Sequence, residues 1–203
     1  LIKGVIPFYE PNLQEIYDQF FMKSIFVADE LVEAVSKSDV VIVTVGTPLN
    51  ASKEPNIQNL VDACTKVAQA AKSGTLILLM STVPVGTTRS LIIPCFTKAS
   101  LPIEREIGLA YCPERMLEGM AIESIKKFVK LIGAVGERSK RAAIRFFELL
   151  SIKTEVLSGP EEAEVAKLIC NAYRMVNIAL ANELAILCEK LGVDAHKVFK
   201  AAN

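Results

Sequence analysis

Apolar residues crowd into three short runs in the first half of the chain: Val40-Val41-Ile42-Val43-Thr44-Val45, Thr75-Leu76-Ile77-Leu78-Leu79-Met80 and Ile107-Gly108-Leu109-Ala110-Tyr111. Runs this continuous read as strands buried on both faces, because a half-buried strand alternates polar with apolar. Weaker runs from Val129 to Val135 and from Lys153 to Leu157 predict two further strands. Amphipathic stretches at Asn56–Lys72 and Thr87–Lys98 predict helices between the strong runs, and a helix pair near Asn12–Met22 and Asp29–Lys37 leads into the first. Strand and helix alternating at this spacing predict an α/β fold, a doubly wound parallel sheet covered on both faces.

The pattern changes after a helix near Glu137–Leu150. Ser158-Gly159-Pro160-Glu161-Glu162 is a helix start, with proline suited to the first turn and two glutamates facing the positive end of the helix dipole. The helical pattern then runs unbroken to Leu191, where Gly192 stops it. About thirty residues is long for a globular helix and suits a domain linker or an oligomer interface. Its apolar stripe of Val165, Leu168, Ile169, Ala172, Val176 and Ala179 reads as core. The expected division is a sheet-building part at 1–157 and the start of a helical domain at 158–203.

Composition narrows the function. Hydrophobic residues make up 51% of the 203, and 23 basic residues balance 23 acidic ones, so nothing draws the chain to nucleic acid or an anionic membrane. No run is long enough to span a bilayer and no signal pattern opens the chain, which predicts a cytoplasmic protein. The five cysteines lack zinc-site spacing and are expected to be reduced. With one histidine, His196, expected at the surface, no metal site or nucleophilic triad is predicted.

Candidate chemistry gathers where the strong strands end, since doubly wound sheets bind ligands beyond the carboxyl ends of their strands. The first run ends in Gly46-Thr47-Pro48, which by itself reads first as a plain strand-to-turn junction. The second ends in Ser81-Thr82-Val83-Pro84-Val85-Gly86-Thr87-Thr88, whose hydroxyls can hold a ribose or a water, or in the case of Thr87 and Thr88 cap a helix. The third ends in Tyr111-Cys112-Pro113-Glu114-Arg115-Met116-Leu117-Glu118-Gly119. If that segment is a helical turn, Glu114 and Glu118 share a face and can exchange protons or bind sugar hydroxyls. Cys112 reads as a packed strand-end residue, with nothing nearby to lower its pKa. On the long helix Lys167 and Asn171 share a face. Asn171, Asn177 and Asn182 are poor helix formers, held either for hydrogen bonds or ligand contact or as a solvated stripe.

In this order the motifs resemble the UDP-glucose/GDP-mannose dehydrogenases, which oxidise a nucleotide sugar twice at C6, alcohol to carboxylate, with NAD. Pro7-Phe8-Tyr9-Glu10-Pro11-Asn12-Leu13 is similar to the family's Pro-x-Tyr-Glu-Pro-Gly-Leu, with asparagine for glycine. The segment Ala163–Ala172 resembles the central helix that joins the family's two Rossmann domains. The resemblance implies that Gly46, Thr47, Pro48, Ser81, Thr82 and Glu118 line the NAD cleft. It implies that Thr82 also holds a catalytic water, and that Glu114 is the acid or base of thioester hydrolysis. Lys167 would place its ammonium at the C6 oxyanion, and Asn171 would donate a hydrogen bond there. Arg115, Met116 and Leu117 would complete the sugar contacts.

Pro113-Glu114-Arg115 resembles the branch acting on UDP-N-acetylhexosamines such as UDP-N-acetylmannosamine, with UDP-glucose or GDP-mannose as the other substrates. Lys130 and Ala134 stand where the family usually has Arg and the second Gly of Arg-Val-Ile-Gly-Gly, and lysine cannot make arginine's bidentate contacts. A hydroxy-acid dehydrogenase would also use a strand-end serine and a helical lysine–asparagine pair, but not these proline-containing motifs. The family's dimer interface implies a homodimer through helix 160–191. Its Gly-x-Gly-x-x-Gly turn and its nucleophilic cysteine are not in this sequence. The expectation is therefore an internal segment, inactive by itself, with a non-catalytic association remnant as the other reading. Such a segment is also expected to expose the sheet edge at Val40 and to associate.

Overall fold

A computed structural model describes residues 4–116 and 119–202. The chain divides into two compact units, Leu1–Val165 and Ala166–Asn203. In the first, helices α1 (Leu13–Phe20) and α2 (Leu31–Ser36) precede β1 (Val40–Val43), and α3 (Gln58–Ala70) links it to β2 (Leu76–Leu79). A π-helical turn at Thr88–Ile92 runs into α4 (Ile93–Lys98) and then β3 (Gly108–Tyr111). There follow α5 (Ala121–Lys127), β4 (Lys130–Ala134), α6 (Glu137–Leu149) and β5 (Thr154–Val156). Helix α7 (Pro160–Lys190) starts in the first unit and continues into the second, which ends in α8 (Ala195–Ala202).

The five strands lie side by side in chain order. β1, β2 and β3 are parallel, as their apolar runs predict, and so are β4 and β5. The expected all-parallel sheet is corrected at one place: β4 runs antiparallel to β3, pairing Tyr111 with Gly133 and Ala110 with Ala134. Residues 112–116 leave β3 without regular structure, and α5 is only 7 residues long, about 10 Å. β4 therefore starts at the edge of the sheet where β3 ended.

Alternation along the strands divides the core in two. Val43, Ile77, Leu79, Leu109 and Tyr111 face α3 and α4, together with Ala163 of α7. Leu76, Leu78, Ala110, Cys112, Ile132 and Ala134 face Ala143 and Phe147 of α6. Among the described residues β1 pairs only with β2, and its Ile42 is 44% exposed. The face that α6 covers is thus open at its β1 end.

Two small residues of β4 have opposite duties. A Cβ on Gly133 would stand 2.6 Å from the Gly159 carbonyl and 2.7 Å from Ala163 Cβ, so the bare backbone lets α7 dock on the sheet. Ala134, on the other face, packs in the α6 core, where a methyl fits. The family glycine retained here is the one that sterics require.

α7 opens at Pro160 with Glu161 and Glu162 in its first turn, and Glu162 accepts a hydrogen bond from the Ser158 amide. It ends with Gly192 at φ +72° and the Val193 amide donating to the Cys188 carbonyl, a left-handed helix stop. The stripe expected as core is mostly exposed: Val165, Ile169, Ala172, Val176 and Ala179 are open and Leu168 is half-buried. Exposed apolar residues continue it through Ile169, Tyr173, Val176, Leu180, Leu184 and Leu187 at a spacing of three and four, and Met175, Ile178 and Ile186 are exposed as well. Asp194 caps α8 by accepting from the amides of His196 and Lys197, and His196 is exposed as expected.

Candidate functional site

Parallel register sets the strand ends in step. Val43, Leu79 and Tyr111 lie side by side, so Gly46, Thr82 and Glu114, each three residues further on, leave the sheet from neighbouring strands. Adjacent strands stand about 5 Å apart, so these loops form one rim. Two of them are tied directly, the Thr47 hydroxyl donating to the Thr82 carbonyl at 2.5 Å. Gly46–Pro48 is thereby more than a strand-to-turn junction: it braces the second motif.

In the second loop Ser81 is buried, and its hydroxyl has no hydrogen-bond partner among the described residues. A buried hydroxyl left unsatisfied costs free energy unless a ligand or water meets it. Gly46 is exposed, and a Cβ there would meet nothing within 4 Å, so the space over the first loop is open. An orphaned hydroxyl in one loop and an open glycine in the neighbouring one are the kinds of group that can meet a ribose or a phosphate. Thr87 and Thr88 do not cap the following helix: Thr87 Oγ1 donates to the Pro84 carbonyl and Thr88 Oγ1 to Glu164.

In the third loop residues 112–116 form no helical turn, so the one-face argument for Glu114 and Glu118 does not hold; Leu117 and Glu118 lie outside the described residues. Glu114 is organised differently. Its Oε1 accepts from the amides of Arg115 (2.6 Å) and Met116 (2.8 Å), and its Oε2 pairs with Lys130 Nζ at 2.8 Å. The antiparallel register explains this partner, since continuing the Tyr111–Gly133 pairing outward sets Glu114 opposite Lys130. Burial alone would raise the Glu114 pKa, but the Lys130 ammonium and the two amides outweigh it and hold the group below the usual glutamate value. Glu114 is therefore ionised at neutral pH and placed to accept hydrogen bonds. Beside it lies an apolar pocket of about 180 Å³, lined in part by Ile42, Met80, Phe128 and Phe147.

Glu10 has a structural role that the sequence does not disclose. It is buried and accepts from the amides of Gly119 (2.8 Å) and Ala121 (2.6 Å), tying the opening motif to the start of α5. Asn12, where the family has glycine, has φ +62°, a left-handed conformation that asparagine tolerates better than other side-chain-bearing residues. Arg115 is half-buried and Met116 exposed. Lys167 and Asn171, both half-buried, share a face of α7 in the second unit. The Asn177 amide bonds its own helix at the Tyr173 carbonyl. Cys112 is fully buried and its thiol is pushed up to about 12, first by burial, so it is inert as a nucleophile.

A rim of glycine, hydroxyl and carboxylate loops at the carboxyl ends of parallel strands is where a doubly wound α/β sheet binds a dinucleotide. The chain belongs to the UDP-glucose/GDP-mannose dehydrogenase family: residues 1–151 match its NAD binding domain and residues 161–203 its central domain. It is 32% identical to the UDP-N-acetyl-D-mannosamine dehydrogenase of Campylobacter jejuni, over 99% of this chain and 51% of that protein. It is 35% identical to the UDP-N-acetyl-D-glucosamine 6-dehydrogenase of Pseudomonas aeruginosa, over 83% of this chain and 40% of that one. The solved UDP-D-ManNAc dehydrogenase of Pyrococcus horikoshii superposes with a TM-score of 0.87 at 29% identity, covering 98% of this chain and 48% of that one. The chain spans about half the length of the curated relatives it matches.

Proposed function

We propose that the protein oxidises C6 of a UDP-N-acetylhexosamine, in the manner of a UDP-N-acetylmannosamine dehydrogenase, using NAD. The observation that carries this reading is the rim itself: Thr47 braced to Thr82, Ser81 with an orphaned hydroxyl, and Glu114 held as a carboxylate. In this reading Gly46, Thr47, Pro48, Ser81, Thr82 and Glu118 hold NAD, whose nicotinamide accepts the hydride when bound. Thr82 orients a water, and Glu114 accepts its proton in the hydrolytic half of the reaction. Lys167 and Asn171 stabilise negative charge on the C6 oxygen. Arg115, Met116 and Leu117, with Glu114, Glu118, Lys167 and Asn171, contact the sugar.

The exposed apolar seam from Ile169 to Leu187 supports a homodimer through residues 160–191, because such a stripe stays in water only at a free-energy cost. The division at 157/158 and a cytoplasmic location belong to the same reading. Among the described residues no helix is long and apolar enough to cross a membrane. Residues 1–203 alone are proposed to be inactive, because none of the five cysteines lies in the glycine-rich setting of the family nucleophile.

The test is NADH formation by the full-length protein with each nucleotide sugar. Turnover of UDP-N-acetylmannosamine or UDP-N-acetylglucosamine is expected. Turnover of UDP-glucose or GDP-mannose alone overturns the substrate reading, and no NADH from any nucleotide sugar overturns the activity.

A further inference from the structure

Glu164 belongs to none of the strand-end motifs, yet it is the only fully buried acidic residue among those described. Its Oε2 accepts from the Gly86 amide at 2.5 Å, and its Oε1 accepts from the Thr88 amide at 2.9 Å and the Thr88 hydroxyl at 2.7 Å. A carboxylate stripped of water is tolerated only when donors of this kind replace the water. Three charge-assisted bonds do so here.

All three donors belong to the end of the Ser81–Thr88 segment. Gly86 has φ +88°, and the helix that follows opens with a π-turn, an irregular backbone that intrahelical bonding leaves short of partners. Tyr111, at the end of β3, has a buried hydroxyl close enough to feel the Glu164 charge. Its ionisation is pushed upward, first by burial and then by that charge. The backbone that carries Ser81 and Thr82 is thus held from above by the Thr47 hydroxyl and from behind by a residue 76 to 78 positions away.

We propose that Glu164 is a positioning residue for the dinucleotide site: it fixes the Val83–Thr88 turn and thereby sets where Ser81 and Thr82 meet NAD. The proposal rests on the reading that Ser81 and Thr82 face NAD. Arg89–Glu161 is a second tie between the same two elements, with Nε to Oε1 at 2.6 Å, but it is exposed and has no hydrogen bond to the turn's amides. It serves as the control.

The experiment uses the full-length protein with E164Q, T88V and R89A. It reads NADH affinity by fluorescence titration, KM for NAD against KM for the sugar, and amide exchange. Glutamine keeps the shape but turns an N–H donor toward the turn's own donors. E164Q is expected to speed exchange at Gly86 and Thr88 while the β2 amides stay protected. It should weaken NADH binding and raise KM for NAD about 10- to 100-fold, the cost of a misplaced contact, with little change in KM for the sugar. T88V should shift the same quantities less, and the double variant no further than E164Q, as groups in one network behave. R89A should leave NADH affinity unchanged. Wild-type affinity in a folded E164Q overturns the proposal, and so does an equal loss in R89A, which would make the effect one of general helix docking. If E164Q loses β2 protection, T88V decides, and unchanged NADH affinity there overturns the proposal. Wild-type protein that binds no NADH strikes the functional reading instead, a failure visible before any substitution.

Discussion

Lys130 decides what Glu114 can do. Because the glutamate's pKa is depressed, its contacts persist above the ordinary carboxylate range and are lost as pH falls through the lowered value. Replacing Lys130 with methionine leaves burial as the dominant influence, so the acid limb of the pH–rate profile of the full-length protein should move to higher pH. K130R restores the charge and should move the limb back; an unmoved limb in K130M would show that the pair does not set the protonation state. A second residue-scale expectation concerns Gly133. G133A drives a methyl into Gly159 and Ala163 and should cost about 1–3 kcal/mol in urea denaturation. Lys130 stands out in the sequence only as a departure from a motif, and Gly133 does not stand out there. The partner of Lys130 was not legible, because it depends on the direction of a strand.

At the scale of elements, apolar runs revealed β1, β2 and β3 because burial on both faces writes a continuous signal. Direction writes none, so the reversal of β4 was invisible. α5 was missed because its 7 residues carry too little periodicity to rise above the loop before them. Glu10 and Glu164 were unreadable for a third reason: each contacts backbone amides more than 70 positions away, and an amide has no residue identity. Glu10 acts as a distant cap on α5, so E10Q should loosen that helix start by about 1 kcal/mol, the usual value of a capping bond. Faster amide exchange at Gly119 and Ala121, with α6 unchanged, is the expected record; uniform exchange across both helices would point to global destabilisation instead.

For the whole molecule, the unbroken helical pattern predicts the long α7, and the stripe it reads as core is exposed within this chain. Periodicity finds an apolar stripe without saying whether its partner is the same chain. The seam through Tyr173, Val176 and Leu180 is open to water, with Tyr173 72% exposed. L180D should reduce a full-length dimer to monomers in sedimentation velocity while leaving the melting temperature of the sheet-building unit within a few degrees, about 1 kcal/mol or less. A dimer that survives L180D would place the interface elsewhere. The open β1 face agrees with the expectation of an exposed edge, since Ile42 has no cover on the α6 side.

The reversal at β4 has one more effect. The excursion between β3 and β4 departs from and returns to the same rim, and the Glu114–Lys130 pair fastens its two ends like a clasp. Whatever lies inside a clasp can be lengthened, shortened or rewritten without asking any strand to shift. On the proposed function, changes within that excursion would alter ligand contacts while the strands beneath stay as they are.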